Sequence, residues 1–317
     1  MTRIALLIAM TLSLSACEQV ALMTTAPKKP AISKGQLTKT ATHQFWQSLH
    51  QGHYQRLPQS IHLLTAAYLK NPNDPNLAAY LGFAHIWKIT ERQREQGIPP
   101  TITDHMILAK FYFNQAVALN PSDARLQGFL GVSELATGKI FADEREQVRG
   151  YFQLKYAIHQ WPAFNYFTAG YPMTMLDAQS PYFKQALAWQ WDTLDVCAGT
   201  TVNRNNPDFA PYMKLETQTG KARACWNSWI APHNFEGFFM NMGDMLVKQG
   251  NWPTAIKIYK NARLSKNYQS WPYRHMLEKR IQHARENVKY FQENNQHAAD
   301  KVIMFNSGYG CVVCHQQ

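Results

Sequence analysis

One four-part spacing recurs along this 317-residue chain and limits what it can fold into. Ser60, Leu64, Ala67 and Pro72 are followed at the same intervals by Ala109, Phe113, Ala116 and Pro121, and then by Gly150, Leu154, Ala157 and Pro162. Ala255, Tyr259 and Ala262 repeat it once more, with Asn267 in the proline's place. Steps of four and three residues set the first three positions on one face of a helix. Small residues there admit a neighbouring helix closely, the large one fills the groove, and proline stops the helix. Asn71-Pro72-Asn73-Asp74 and Asn120-Pro121-Ser122-Asp123 are near copies of one turn, the second leading into a helix N-cap.

These residues resemble the second helix of a tetratricopeptide repeat (TPR). Phe239, Met242, Gly243 and Leu246 precede Ala255 at that family's spacing, which makes residues 236–269 the best single match. Leu81-Gly82 and Leu130-Gly131 look like the corresponding first-helix contacts of earlier repeats. Residues 90–104 and 138–146 lengthen two of the repeats, so the resemblance covers about half the chain and the repeats are degenerate. It implies an all-α, TPR-like helical-repeat solenoid that binds peptides or proteins.

The chain divides by composition into six parts. Residues 1–16 join one positive charge to an apolar run too short to span a bilayer and end in small residues, as a secretory signal does. Leu14-Ser15-Ala16-Cys17 resembles the bacterial lipobox, which implies cleavage before Cys17 and lipid on its sulfur. Glu18 stands where aspartate would favour inner-membrane retention, so the outer membrane is expected. Residues 17–42, with Pro27-Lys28-Lys29-Pro30, show no periodicity and are read as a flexible tether. Residues 43–162 carry the TPR-like repeats. Residues 163–234 break the rhythm with Trp189, Trp191, Trp226, Trp229 and several Pro and Asn turns, giving an irregular helical insertion. Residues 235–300 hold the last repeat and a capping helix striped by Leu277, Ile281, Ala284, Val288 and Phe291. Residues 301–317 form a tail.

That tail contains Cys311-Val312-Val313-Cys314-His315, the Cys-x-x-Cys-His order of c-type haem attachment. Two intervening residues place both sulfurs on one side of a helical turn for thioether bonds to the vinyl groups, and His315 follows as proximal iron ligand. Haem c is the expected cofactor. A haem motif near the end of a helical protein looks like the arrangement in c-prime-type cytochromes, although nothing else matches that family. Only Gln316 and Gln317 follow, so a sixth ligand comes from upstream or from a partner, with His297 or Met304 foremost, then His283, Met276 or His275; a five-coordinate iron is the alternative. Zinc or copper bound by the same residues, or a structural disulfide between the cysteines, compete with haem. Thiol–disulfide exchange lacks the strand–helix setting it needs. His43, His50 and His53 share a face of the first helix and read as a solvated polar face.

Export also sorts the remaining cysteines. Cys197 and Cys225 pair as a disulfide in an oxidising compartment, with two buried thiols as the alternative. A formal charge of +11 favours partners with acidic surfaces or anionic headgroups, and export argues against nucleic acid. The 45% hydrophobic and 17% charged composition belongs to a folded chain. The expected protein is an envelope lipoprotein whose solenoid docks a protein partner and whose haem carries electrons. A non-redox adaptor lipoprotein is the alternative. No distal acid–base pair, nucleotide loop or catalytic triad marks an enzyme.

Overall fold

The computed structural model describes residues 19–21, 23–226, 235–293, 304 and 310–316. Among them every regular element is a helix, and none is long and apolar enough to cross a membrane. Cys17, Trp229 and His297 lie outside the described residues. The helices are α1 (Gln36–His50), α2 (Leu57–Lys70), α3 (Pro75–Thr90), α4 (Asp104–Leu119), α5 (Ala124–Ile140), α6 (Glu144–Gln160), α7 (Pro162–Gly170), α8 (Pro181–Ala198), α9 (Phe235–Gln249), α10 (Trp252–Asn261), α11 (Arg274–Gln282), α12 (Ala284–Gln292) and a terminal turn, α13 (Val312–His315).

Each helix packs chiefly on its chain neighbour, in the hairpins α1–α2, α3–α4, α5–α6, α7–α8 and α9–α10. Capping sets where several of them start. Asp74 accepts the backbone N–H groups of Asn76 and Leu77, Asp123 that of Arg125, and Asp143 that of Glu146. The stretch read as a flexible tether to residue 42 is helical at residues 19–21 and 23–24 and again from Gln36, where Thr38, Ala41 and Phe45 already lie buried on one face.

The recurrent spacing marks a recurrent contact. Ser60, Leu64, Ala67, Ala109, Phe113, Ala116, Leu154, Ala157, Ala255, Tyr259 and Ala262 are all fully buried. In three hairpins the large residue of the second helix lies against a glycine of the first. A Cβ on Gly82 would stand 2.7 Å from the Phe113 ring, one on Gly131 2.9 Å from Leu154, and one on Gly243 2.2 Å from Tyr259. Glycine is required there for closeness of approach, not for its backbone freedom.

Residues 163–234 are more regular at first than composition suggests. α7 and α8 form a further hairpin, after which short 3-10 turns at Ala210–Leu215 and Lys221–Cys225 take over. Cys197 and Cys225 form a disulfide with an S–S distance of 2.01 Å, joining α8 to the second turn. Trp189 and Trp226 are buried. The capping segment is two helices, because the backbone leaves helical geometry at His283, yet Leu277, Ala284 and Phe291 bury as one stripe against α9 and α10.

Two large apolar cores result. One gathers Phe45, Leu64 and Trp87 from α1–α3; the other gathers Phe183, Phe209, Met242, Tyr259 and Phe291 from α8 onward. The tail lies between them. Val312 belongs to the first core, while Val313 and Cys314 belong to the second.

Candidate functional site

The terminal turn is held at its backbone by side chains from distant parts of the chain. Glu91, at the end of α3, accepts the N–H groups of Cys311 at 2.8 Å and Val312 at 2.9 Å through Oε1. These are the donors a helix start leaves without intrahelical partners, and a carboxylate satisfies them strongly. Arg94 Nε stands 2.9 Å from the other Glu91 oxygen. On the opposite side the Tyr171 hydroxyl donates to the Gly310 carbonyl at 2.8 Å, and the Trp271 indole donates to that of Val313 at 3.2 Å. His50 Nδ1 lies 2.6 Å from the His315 carbonyl, and the Tyr273 hydroxyl donates to Gln316 Oε1 at 3.0 Å. A carbonyl only accepts, so His50 carries its proton on Nδ1.

Packing is as close as the hydrogen bonding. Gly310 has φ +37°, and a Cβ there would stand 2.9 Å from both Glu91 and Thr90. Val312 and Val313 are fully buried, Cys314 is 4% exposed, and Cys311 is half-buried with its sulfur 3.7 Å from the Thr90 hydroxyl.

Electrostatics follow from this burial. Desolvation pushes the Glu91 carboxyl up to about 7, with Arg94 and the tail N–H groups pulling it back. Burial, reinforced by the Glu91 carboxylate, pushes the Cys311 thiol up to about 12. Burial also lowers the His50 pKa against the opposing pull of the His315 carbonyl, which keeps that imidazole neutral at pH 7. Tyr171 is held well above the usual phenol range by burial and by the two thiols, so it remains a donor.

Cys311, Cys314 and His315 are therefore brought together on one turn, where the two sulfurs are not bonded to each other. Among the described residues no group of three or more His, Cys, Asp or Glu side chains is placed to hold a metal ion. Met304 is 1% exposed and belongs to the same core as Val313 and Cys314. His283 pairs with Glu286 at 2.8 Å on the surface, Met276 contacts Arg280, and His275 is exposed. None of these three is at the tail's backbone contacts. His43 is exposed, whereas His50 and His53 are half-buried, so the first-helix histidines are not one solvated face.

The donor chemistry fits c-type haem attachment: two unbridged cysteines on one turn with an adjacent imidazole. The docked packing is closed around that set. At 4% exposure the Cys314 sulfur has no open approach from outside.

The residues of that cradle escaped sequence reasoning. Glu91 and Arg94 belong to the segment noted only as lengthening a repeat, and Tyr171, Trp271 and Tyr273 carry no local signature. Compared with protein-family models, curated proteins and solved structures, the chain has no significant match, so the site stands on its own geometry.

Proposed function

We propose that this chain is an envelope lipoprotein, tethered through Cys17, whose degenerate TPR-like solenoid presents one covalent haem c on its C-terminal turn for electron transfer with a protein partner. The observation that carries the reading is the pairing of Cys311 and Cys314 with His315 on a turn whose backbone is held by Glu91, Tyr171, Trp271 and His50. Cys311 and Cys314 would form the thioethers, and His315 would be the proximal ligand. Met304 is the favoured sixth ligand, being buried in the same core. When bound, the haem supplies a one-electron iron couple. Glu91, Tyr171, Trp271 and His50 act on the polypeptide only: they orient the turn and exclude water from it. The glycine-seated contacts of the three hairpins support the TPR-like reading, and the basic charge of the chain supports a partner with an acidic surface.

Haem staining on a denaturing gel, with a pyridine haemochrome spectrum of protein matured in an exporting host, tests this. A covalent haem signal that disappears in Cys311→Ser and Cys314→Ser is expected. Colourless mature protein rejects the electron carrier.

The closed packing favours one other reading, a non-redox adaptor in which the turn is a structural clasp between the two cores. Under that reading, partner capture survives replacement of both terminal cysteines by serine.

A further inference from the structure

The layer of helices that leads back to the tether has an outward face unlike the rest of the surface. On α6, Val148, Phe152 and Tyr156 follow one another at four-residue steps and are 56%, 66% and 48% exposed. A helix turns about 100° per residue, so these three form one stripe. The same geometry places Arg149 on one flank of the stripe, Lys155 on the other, and Arg145 within it, all three exposed. On α4, Phe111 is likewise 49% exposed. The ion pair of Lys110 with Glu146 ties α4 to α6 along their buried sides. Exposed acids on the two helices are confined to their first residues, Asp104 and Glu144.

Isolated exposed apolar residues are ordinary, but a contiguous aromatic stripe flanked by cations is not. Aromatic and aliphatic side chains beside Lys and Arg on one helix face match the headgroup zone of a bilayer, where the rings sink and the cations meet phosphate. An acidic or neutral groove would instead call for a different charge pattern. The tether gives a second argument. Ser33 N–H donates to Asp74 and Ala31 N–H to Asn73, and then Lys28 Nζ reaches Gln115 on α4 at 2.9 Å. The described part of this segment thus runs against α4.

We propose that the outward faces of α4 and α6 form a docking surface for an anionic phospholipid bilayer. Docking would lay the solenoid on the membrane instead of leaving it to swing on its tether. The tether argument rests on the lipoprotein reading given above, whereas the surface itself works without an acyl chain and without haem.

The test is co-flotation of the signal-processed full chain, carrying Cys17→Ser so that no lipid contributes, with vesicles of phosphatidylglycerol and phosphatidylethanolamine or of phosphatidylcholine alone. Binding to the anionic vesicles, weak on phosphatidylcholine, is expected. Each of Arg145→Glu and Arg149→Glu should weaken it about fivefold or more. Phe152→Asp combined with Tyr156→Asp should abolish it with unchanged circular dichroism, whereas Tyr182→Asp, on the exposed face of α8, should leave it intact. Three outcomes overturn the proposal: no retention on anionic vesicles by folded protein, retention indifferent to the α6 changes, or a dimer in sedimentation that Phe152→Asp dissolves. The last would assign the stripe to a second copy of the chain.

Discussion

Glu91 accepts the backbone N–H of Val312 across 221 positions of sequence, and that single buried oxygen also takes the N–H of Cys311. The end of α3 and the end of the chain are therefore held by one carboxylate.

Removing that acceptor should free the tail. Glu91→Ala leaves two donors without a partner in an apolar setting, at about 2–4 kcal/mol. Glu91→Gln retains an oxygen and should lose less than half of that. Limited proteolysis resolves the two, with the C-terminal peptide released fastest from the alanine variant.

The same group sets a pH dependence. The Glu91 carboxyl titrates near 4.5 in an unfolded chain and about 7 when folded. Between these values the folded state keeps a proton that the unfolded state has lost, so stability falls as pH rises through the window, by at most about 3 kcal/mol. Urea midpoints of the haem-free chain should drop between pH 5 and pH 8, and Glu91→Gln should flatten that part of the profile.

Thiol chemistry gives a third expectation. With the Cys311 thiol pushed up to about 12 and Cys314 4% exposed, neither sulfur should react with iodoacetamide at pH 7.5 in the folded, haem-free chain. Both should react after unfolding, and both should react faster in Glu91→Ala. Folded, docked apoprotein should for the same reason be a poor acceptor of haem, whereas nascent chain should accept it. A timed comparison of covalent haem incorporation checks the order of events.

The glycine seats are a fourth case. Gly243→Ala drives a methyl to 2.2 Å from the Tyr259 ring, which is locked by its hydrogen bond of 2.6 Å to Asp244. A loss of about 2–4 kcal/mol is expected, against about 1 kcal/mol for Gly199→Ala, where only the positive φ of 68° resists. Thermal midpoints of the two variants separate close packing from backbone strain. Cys225→Ser, which opens a loop of sequence separation 28, should lower stability by about 3–4 kcal/mol.

What the chain disclosed before folding follows from the range over which each signal acts. The buried positions Leu64, Phe113, Leu154 and Tyr259 were legible because helix periodicity is local, and glycine partners lay at readable offsets. The Cys197–Cys225 disulfide was legible because the roles expected of Cys17, Cys311 and Cys314 left one pair. The break at His283 was not, since the apolar stripe runs through it unchanged. The cradle was least legible of all. His50 and His315 stand 265 positions apart, and the residues that fix the tail use backbone groups, which leave no trace in side-chain patterns.

Helical arrays whose units touch only their neighbours lose structure first at their extremities. Here the His50–His315 contact sets the first hairpin and the last residues against each other, so neither extremity is an independent place to begin fraying. Amide hydrogen exchange in α1 should consequently report on the presence of the final seven residues, and truncating them should turn one cooperative melting transition into two.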